Sequence, residues 1–170
     1  TARGVRRTPF HSHLLERGAV MGELAGWERA NWFARGSQEA EYVYSWDRQN
    51  FFDNVREEHM AIRHNVGMYD MSSFGKLRVE GPDAEAFMNY VGGGNYGGIE
   101  ADVTVTRLSE TCFLVVTPAA TRLADQMWMQ RHVGDFRVVI TDVTAGEGVL
   151  AVMGPRARAV LQAVSPNDFS

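Results

Sequence analysis

Apolar and polar residues alternate with two different periods along this chain. In "DNVREEHMAIRHNVG" the apolar stripe recurs at spacings of three and four residues: Val55, His59, Ile62 and Val66. This spacing predicts one face of an amphipathic helix, on which His59 is a core residue. Asp53 precedes the stripe as the expected N-cap, and Gly67 is placed to end the helix.

From Gly75 onward, strand and helix patterns follow one another regularly. "KLRVEGPDAEAFMNYV" predicts a strand, a Gly-Pro turn and a helix. The expected buried stripe of that helix is Ala84, Phe87, Met88 and Val91. "PAATRLADQMWMQRHVG" predicts a second helix, with Leu123, Ala124 and Met127 turned inward. "DVTVTRL", "CFLVVTP", "FRVVITDV" and "GVLAVMG" predict strands, and "PRARAVLQAV" predicts a closing helix.

One segment of the chain occurs twice. "LRVEGPDAEAFMNYV" (77–91) and "LAVMGPRARAVLQAV" (150–164) align without gaps and share Leu, Val, Gly, Pro, two Ala and the final Val. Two copies of one strand–turn–helix unit indicate a duplicated α+β architecture. The element order predicts a ferredoxin-like antiparallel or mixed sheet with helices on one face. We expect an α+β domain over residues 71–170, preceded by an arm and helix over residues 1–70.

The first 52 residues show no regular period but many aromatic side chains. Trp27, Trp32, Trp46 and their aromatic neighbours are costly to leave in water, so an irregular arm is expected to pack on something. Its basic start, "TARGVRR", is interpreted as a surface arm, with a transit-peptide remnant as the alternative.

Composition narrows the function classes. The net charge of −4 argues against a nucleic-acid binder, and no apolar run is long enough to cross a bilayer. Cys112 is the single cysteine, which excludes an internal disulfide, and we expect a buried apolar thiol. The histidines lack the spacing of a metal site, so none is expected.

The segment "GGGNYGGIEADVTVTRL" (92–108) raises a choice between chemistry and linker. A phosphate loop needs glycines between a strand and a helix, whereas these glycines follow a helix and precede a strand, so a turn or linker is favoured. In the strand that follows, Asp102 and Thr106 fall on one face. A carboxylate at a strand start suits a general base, although spacing alone favours a solvated polar face.

Several of these stretches resemble a known family. "GMYDMSSFGKLRVEGPDAEAFM" and "GGIEADVTVTRL" are similar to the Asp-x-Ser and Gly-Gly-Ile-x-x-Asp segments of the glycine-cleavage T-protein (aminomethyltransferase) superfamily. "GAVMGELAGWERANWFA" and "YSWDRQNFFDNVREEHMAIRHNVGMYDMSSF" more narrowly resemble the folate-binding part of flavin-dependent dimethylglycine and sarcosine dehydrogenases.

The resemblance implies a role in one-carbon metabolism. It implies tetrahydrofolate as cofactor, loaded with an aminomethyl or methylene unit during N-methyl amine oxidation. FAD would belong to a separate domain or chain. Asp102 matches the family's carboxylate beside the reacting folate nitrogens, and is implied to be catalytic and folate-contacting. Phe74 and Thr106 match positions near the pterin, with identities that differ from the T-protein pattern, and are pocket candidates.

Two departures from the family pattern open an alternative. "GGGNY" stands where relatives carry a longer segment with a strand that pairs with residues 101–108, so the shortened stretch at 92–98 is interpreted as a deletion patch. Relatives also supply much of the folate pocket from a further stretch of sequence. The alternative is therefore a non-catalytic fragment or structural subunit that needs a partner chain. The expected partners are folate, a flavin oxidoreductase domain or the rest of the folate domain, and a second copy of the chain. The expected location is a bacterial cytoplasm or the mitochondrial matrix.

Overall fold

The computed structural model describes residues 3–93 and 98–169, and most of the glycine-rich segment lies outside that part. The helices are α1 (His11–Glu16), α2 (Phe52–His64), α3 (Ala84–Gly93), α4 (Arg122–Arg131) and α5 (Ala157–Val164). The strands are β1 (Ala19–Leu24), β2 (Trp27–Phe33), β3 (Gly67–Asp70), β4 (Gly75–Glu80), β5 (Thr104–Ser109), β6 (Cys112–Thr117), β7 (Val139–Asp142) and β8 (Leu150–Met153). They form two compact units, Ser72–Glu147 and Thr1–Met71 with Gly148–Ser170.

The unit Ser72–Glu147 has the predicted ferredoxin-like architecture. Its elements run β4, α3, β5, β6, α4, β7, and its antiparallel sheet has the order β5-β6-β4-β7. Strand alternation directs one side of the sheet into the core, because Leu77 and Val79 of β4 lie opposite Val115 and Phe113 of β6. The predicted helix stripe completes this core: Ala84, Phe87 and Met88 are buried, and Val91 packs at its margin.

The face of α4 differs from the predicted one. Leu123 and Met127 are exposed, whereas Met129 is buried in the core and Trp128 packs against it. The prediction that Leu123, Ala124 and Met127 point inward is wrong. This helix carries apolar residues on two sides, and periodicity does not tell which side meets the sheet.

The unit built from both ends of the chain contains two small sheets, β1-β2 and β3-β8. The antiparallel hairpin β1-β2 corrects the expectation of an irregular arm. Ala25 and Gly26, both with positive φ (51° and 84°), form its two-residue turn, which suits a type I′ geometry. The register of the hairpin shifts between Val20 and Met21, which marks a β-bulge. The bulge breaks the alternation of apolar and polar residues by which the strands could have been predicted from the sequence.

Helix α2 begins earlier than predicted and buries a different side from the predicted one. Its N-cap residue is Phe51, without a side-chain cap, so Asp53 is an acidic first-turn residue rather than the cap. Asn54 is buried and donates to the carbonyl of Phe33 at 2.6 Å, whereas Val55 and His59 are exposed. His59 is therefore not a core residue, because the helix packs along a stripe displaced from the one that hydrophobicity suggested.

The aromatic residues of the arm are divided between interior and surface. Trp32 is fully buried and stacks on Phe51, which contacts Tyr42 edge to face. Tyr44 and Trp46 are exposed. Among the described residues, every helix is too short or too polar to span a lipid bilayer.

Candidate functional site

The sheet topology brings two of the sequence-predicted site residues to one end of the four-stranded sheet. Phe74 directly precedes β4, whose first residue Gly75 lies opposite Thr117 at the end of β6. Asp102 precedes β5, whose first residue lies opposite Val116 of β6. Phe74 and Asp102 thus precede the strands on either side of β6, and those strands lie two strand spacings or roughly 10 Å apart.

Thr106 lies deeper along the same sheet. It is opposite Leu114 of β6, which in turn is opposite Arg78 of β4. Thr106 is therefore four residues further along the sheet than Phe74, a distance of roughly 13 Å. The structure brings Asp102 and Phe74 to the same end of the sheet and leaves Thr106 further along β5.

The surroundings of Asp102 keep its carboxylate accessible. Val103 packs against the core and anchors this segment, while Asp102 beside it is exposed. Within the described part of the chain, the Asp102 carboxylate has no hydrogen-bond or ion-pair partner. All residues of β5 are exposed, and no strand in the described residues pairs with its outer edge. An accessible carboxylate at a sheet end can exchange a proton with a bound amine.

A polar cluster, made of Thr117, Arg122, Asp125, Asp142 and Thr144, lies at the same end of the sheet. Sequence reasoning did not single these residues out, because each belongs to a different local pattern. The Thr117 hydroxyl donates to Asp125, and Arg122 forms an ion pair with Asp142. Burial would raise the pKa of Asp142, but the hydrogen bonds from Thr144 and the nearby Arg122 guanidinium outweigh it and lower the pKa.

Gly75 and Lys76 connect this cluster to the start of β4. A Cβ on Gly75 would lie 2.5 Å from Cγ of Arg122 and 2.7 Å from Cγ2 of Thr117, so the cluster needs glycine there. Lys76 is fully buried, its Nζ donates to the Ser72 carbonyl at 2.8 Å, and its backbone N–H donates to the Thr144 hydroxyl at 3.0 Å. These bonds hold the turn that carries Phe74, whose ring is half-buried.

Cys112 is not the buried apolar thiol that the sequence predicted. Cys112 is half-buried at the start of β6, with its Sγ 3.8 Å from a Glu80 carboxylate oxygen. Among the described residues, no group of three or more His, Cys, Asp or Glu side chains could hold a metal ion.

The fold is an α+β domain in which the unit Ser72–Glu147 is ferredoxin-like. Comparison with known proteins identifies the family to which the chain belongs. The family model for the GCVT N-terminal domain matches residues 10–96 and 93–170. The chain therefore belongs to this family. The match consists of two pieces that overlap at residues 93–96, inside the glycine-rich segment.

Individual relatives agree with this assignment. The chain is 39% identical over 191 positions to 4-methylaminobutanoate oxidase (formaldehyde-forming) of Paenarthrobacter nicotinovorans, covering all of this chain and 23% of that protein. It is 33% identical over 173 positions to mitochondrial dimethylglycine dehydrogenase of Homo sapiens, covering 92% of this chain and 20% of that protein. The first alignment is longer than the 170 residues of this chain, so the relative carries additional residues within the aligned region.

Solved structures give the same fold. The aminomethyltransferase T of the glycine cleavage system from Bartonella henselae superimposes with a TM-score of 0.74 at 25% identity, over 96% of this chain and 45% of that chain. The chain thus spans less than half the length of these relatives.

Proposed function

We propose that this chain is part of a tetrahydrofolate-binding domain that transfers one-carbon units, linked to oxidative demethylation of N-methyl amines. Membership of the GCVT family and similarity to a formaldehyde-forming amine oxidase and to dimethylglycine dehydrogenase support this function. The observation that carries it is the accessible, unpaired Asp102 carboxylate at the same sheet end as Phe74. The bacterial and mitochondrial relatives are the basis for proposing a bacterial cytoplasm or the mitochondrial matrix as its location.

The residues at this sheet end, together with Thr106 further along β5, fit a folate. Phe74 presents a half-buried aromatic ring suited to a flat heterocycle, and Thr106 offers a hydroxyl on an exposed strand. Tetrahydrofolate, when bound, supplies the amine nitrogens that accept the one-carbon unit. Asp102 would take or hold a proton at its carboxylate and would favour positive charge developing beside it. The flavin chemistry would belong to a separate domain or chain.

Calorimetric titration with tetrahydrofolate under anaerobic conditions tests the binding part of this proposal. We expect a dissociation constant in the micromolar range, about −8 kcal/mol, for the chain. Phe74→Ala should weaken binding at least about tenfold, because the ring would no longer contact the heterocycle. No heat of binding at high micromolar chain concentration would contradict a folate site within these residues.

Asp102→Asn tests the catalytic part. In an assembly with a flavin oxidoreductase, we expect the rate of methylene-tetrahydrofolate formation to fall by roughly 10²- to 10⁴-fold, which is typical of a lost general base. Asp135→Asn, at an exposed loop position of the same unit, is the matched control and should leave the rate unchanged. An unchanged rate in Asp102→Asn would remove this carboxylate from the mechanism.

A second candidate is a non-catalytic subunit of this fold that needs a partner chain. The observations that favour it are the exposed β5 edge, the division of the family match into two pieces that overlap at residues 93–96, and the limited share of each relative that the chain covers. Under this alternative, the chain alone binds no folate and self-associates. A compact monomer with one sharp thermal transition would contradict it.

A further inference from the structure

β5 is an edge strand without the features that usually protect such an edge. All residues of Thr104–Ser109 are exposed, and within residues 3–93 and 98–169 no strand pairs with its outer edge. An open edge presents a row of unpaired backbone N–H and C=O groups that can bind another strand. Protected edges are short or carry proline, lysine or inward-pointing charges. β5 has six residues, no proline and one charged side chain, Arg107.

The one charge of β5 is held away from the outer edge. The Arg107 guanidinium carbon lies 5.8 Å from the ring centroid of Phe113 on β6, and Arg107 forms an ion pair with Glu85 of α3 at 3.1 Å. Because β6 pairs with the inner edge of β5, these contacts draw the guanidinium back over the sheet. Arg107 therefore neither guards the outer edge nor brings an uncompensated charge to it.

The opposite edge of the same sheet is different. β7 has four residues and ends at Asp142, which forms an ion pair with Arg122. Just before β7, Arg137 forms an ion pair with Asp83 at 2.8 Å. A short strand with charged groups at both ends is a poor template for pairing. Of the two edges of this sheet, β5 is therefore the better template for another strand.

The side chains of β5 extend the packing of the sheet towards its outer edge. Leu77 of β4 lies opposite Val115 of β6, and Val115 lies opposite Val105 of β5. The first two are buried in the core, and Val105, the last of this row, is 46% exposed. A strand added to the outer edge would continue the row and cover Val105.

A second copy of β5 fits this edge by symmetry. Two copies can pair antiparallel about a two-fold axis, which places one residue opposite its own copy. A pair centred on Arg107 opposes two guanidinium groups, and a pair centred on Val105 aligns only residues 104–106 of the two strands. A pair centred on Thr106 aligns residues 104–108 and twice places Val105 opposite Arg107 of the other copy. Within residues 104–108, no like charges face each other in this register.

We propose that this chain forms a dimer in which the β5 strands of two copies pair antiparallel, centred on Thr106. The two four-stranded sheets then join into one continuous sheet across the two-fold axis. An edge of this length extends about 20 Å, which is less than a standard protein–protein interface, so the dimer is weak. The pairing uses backbone groups of β5 and does not rest on folate binding.

Charge substitutions at Val105 test the interface by sedimentation of the intact chain. We expect a monomer–dimer equilibrium with a dissociation constant of roughly 10–500 µM. Val105→Lys places a lysine opposite each Arg107 and should raise this constant by about fivefold or more. Val105→Glu places a carboxylate opposite each Arg107 and should keep the constant or lower it by up to about fivefold. Val139→Lys on β7, also exposed, is the control and should dimerise like the wild type.

Three results of this experiment overturn the proposal. The first is a chain that stays monomeric up to about 1 mM. The second is a dimer that Val105→Lys and Val105→Glu weaken equally, because charge at the opposing Arg107 would then play no part. The third is a dimer that Val139→Lys weakens as strongly as Val105→Lys, because β5 would then not be the interface.

Cysteine crosslinking tests the register, and it also applies if a charged variant fails to fold. Thr106→Cys and Thr104→Cys are each made together with Cys112→Ser, which removes the single native thiol. In the proposed register the Cα atoms of the two copies of residue 106 lie roughly 4.5–5.5 Å apart, within the range of a disulfide. The two copies of residue 104 are four positions apart along the strands, or roughly 13 Å.

Oxidised glutathione should therefore crosslink the Thr106→Cys variant into a covalent dimer and leave the Thr104→Cys variant uncrosslinked. No covalent dimer of Thr106→Cys, or crosslinking of Thr104→Cys to an equal or greater extent, overturns the proposal.

Discussion

Glu28 on β2 is the buried charge whose removal makes the sharpest stability prediction. The residue is 5% exposed, and its two carboxylate oxygens accept hydrogen bonds from Arg3 Nε and Nη2 at 2.7 and 2.8 Å. The Gly4 backbone N–H donates a third bond at 2.7 Å. The Arg3 side chain, followed by the Gly4 N–H, lowers the pKa of Glu28 from 4.5 to about 2.

This shift sets the size and the pH window of the effect. Each pKa unit corresponds to about 1.4 kcal/mol, so the shift has an upper limit of about 3 kcal/mol. Because the Arg3 side chain is 51% exposed, solvent screens the pair, and we expect about 1–2 kcal/mol. Because folding lowers the pKa of Glu28, its ionised carboxylate stabilises the fold fully at pH values above about 4.5, the pKa in the unfolded chain. This contribution is lost as the pH falls towards 2, the pKa in the folded chain.

Urea unfolding of the wild-type chain and Glu28→Gln between about pH 7 and pH 2.5 tests this reasoning. The free energy of unfolding of Glu28→Gln should be lower by about 1–2 kcal/mol at neutral pH, and the difference should fall below half near pH 3. Glu39→Gln, at an exposed position, is the control and should unfold like the wild type. A difference that stays constant across this pH range would refute the ionic origin of the stabilisation.

Three further predictions follow from the packing of the unit Ser72–Glu147. Phe87→Ala should lower the free energy of unfolding by about 3–5 kcal/mol in urea denaturation, because the ring is fully buried in the core. Gly81→Ala should lower the free energy of unfolding by at least about 1 kcal/mol, because Gly81 has a positive φ and a Cβ there would lie 2.0 Å from the Arg137 carbonyl oxygen. Gly92→Ala is the control: a Cβ at Gly92 meets open space, so this change should be neutral or stabilising. Lys76 is the single lysine of residues 1–170 and is fully buried. An amine-reactive ester should therefore label only the N-terminal amine of the native chain, and should add a second label at Lys76 when the chain is unfolded in urea. A second label without urea would contradict the burial of Lys76.

Much of the fold could be predicted because its signals are local. The Gly-Pro turn and the apolar stripe ending at Val91 each lie within a short window of sequence, and the repeat consists of two such windows, residues 77–91 and 150–164. The element order that follows from them predicts the ferredoxin-like sheet, which the structure confirms. The family resemblance carried by "GGIEADVTVTRL" is confirmed by the family match, while the role of Asp102 stays a prediction.

The rest depended on which surfaces meet in three dimensions. Periodicity measures how amphipathic a helix is, but α4 has apolar residues on two sides, and only the sheet decided that Met129 is buried and Leu123 exposed. The neighbourhood of Asp102 and Phe74 depends on β6 lying between their strands, which is a long-range pairing.

The repeat shows most clearly where sequence information ends. The two similar segments 77–91 and 150–164 have the same local pattern of apolar, glycine and proline positions, and both form a strand, a turn and a helix. Sequence by itself therefore determined the elements of these two segments and their duplication. Only the tertiary structure decided that one copy is buried beneath β6 and α4 while the other exposes Leu150, Val160 and Val164, because burial belongs to the partner surface as much as to the segment itself.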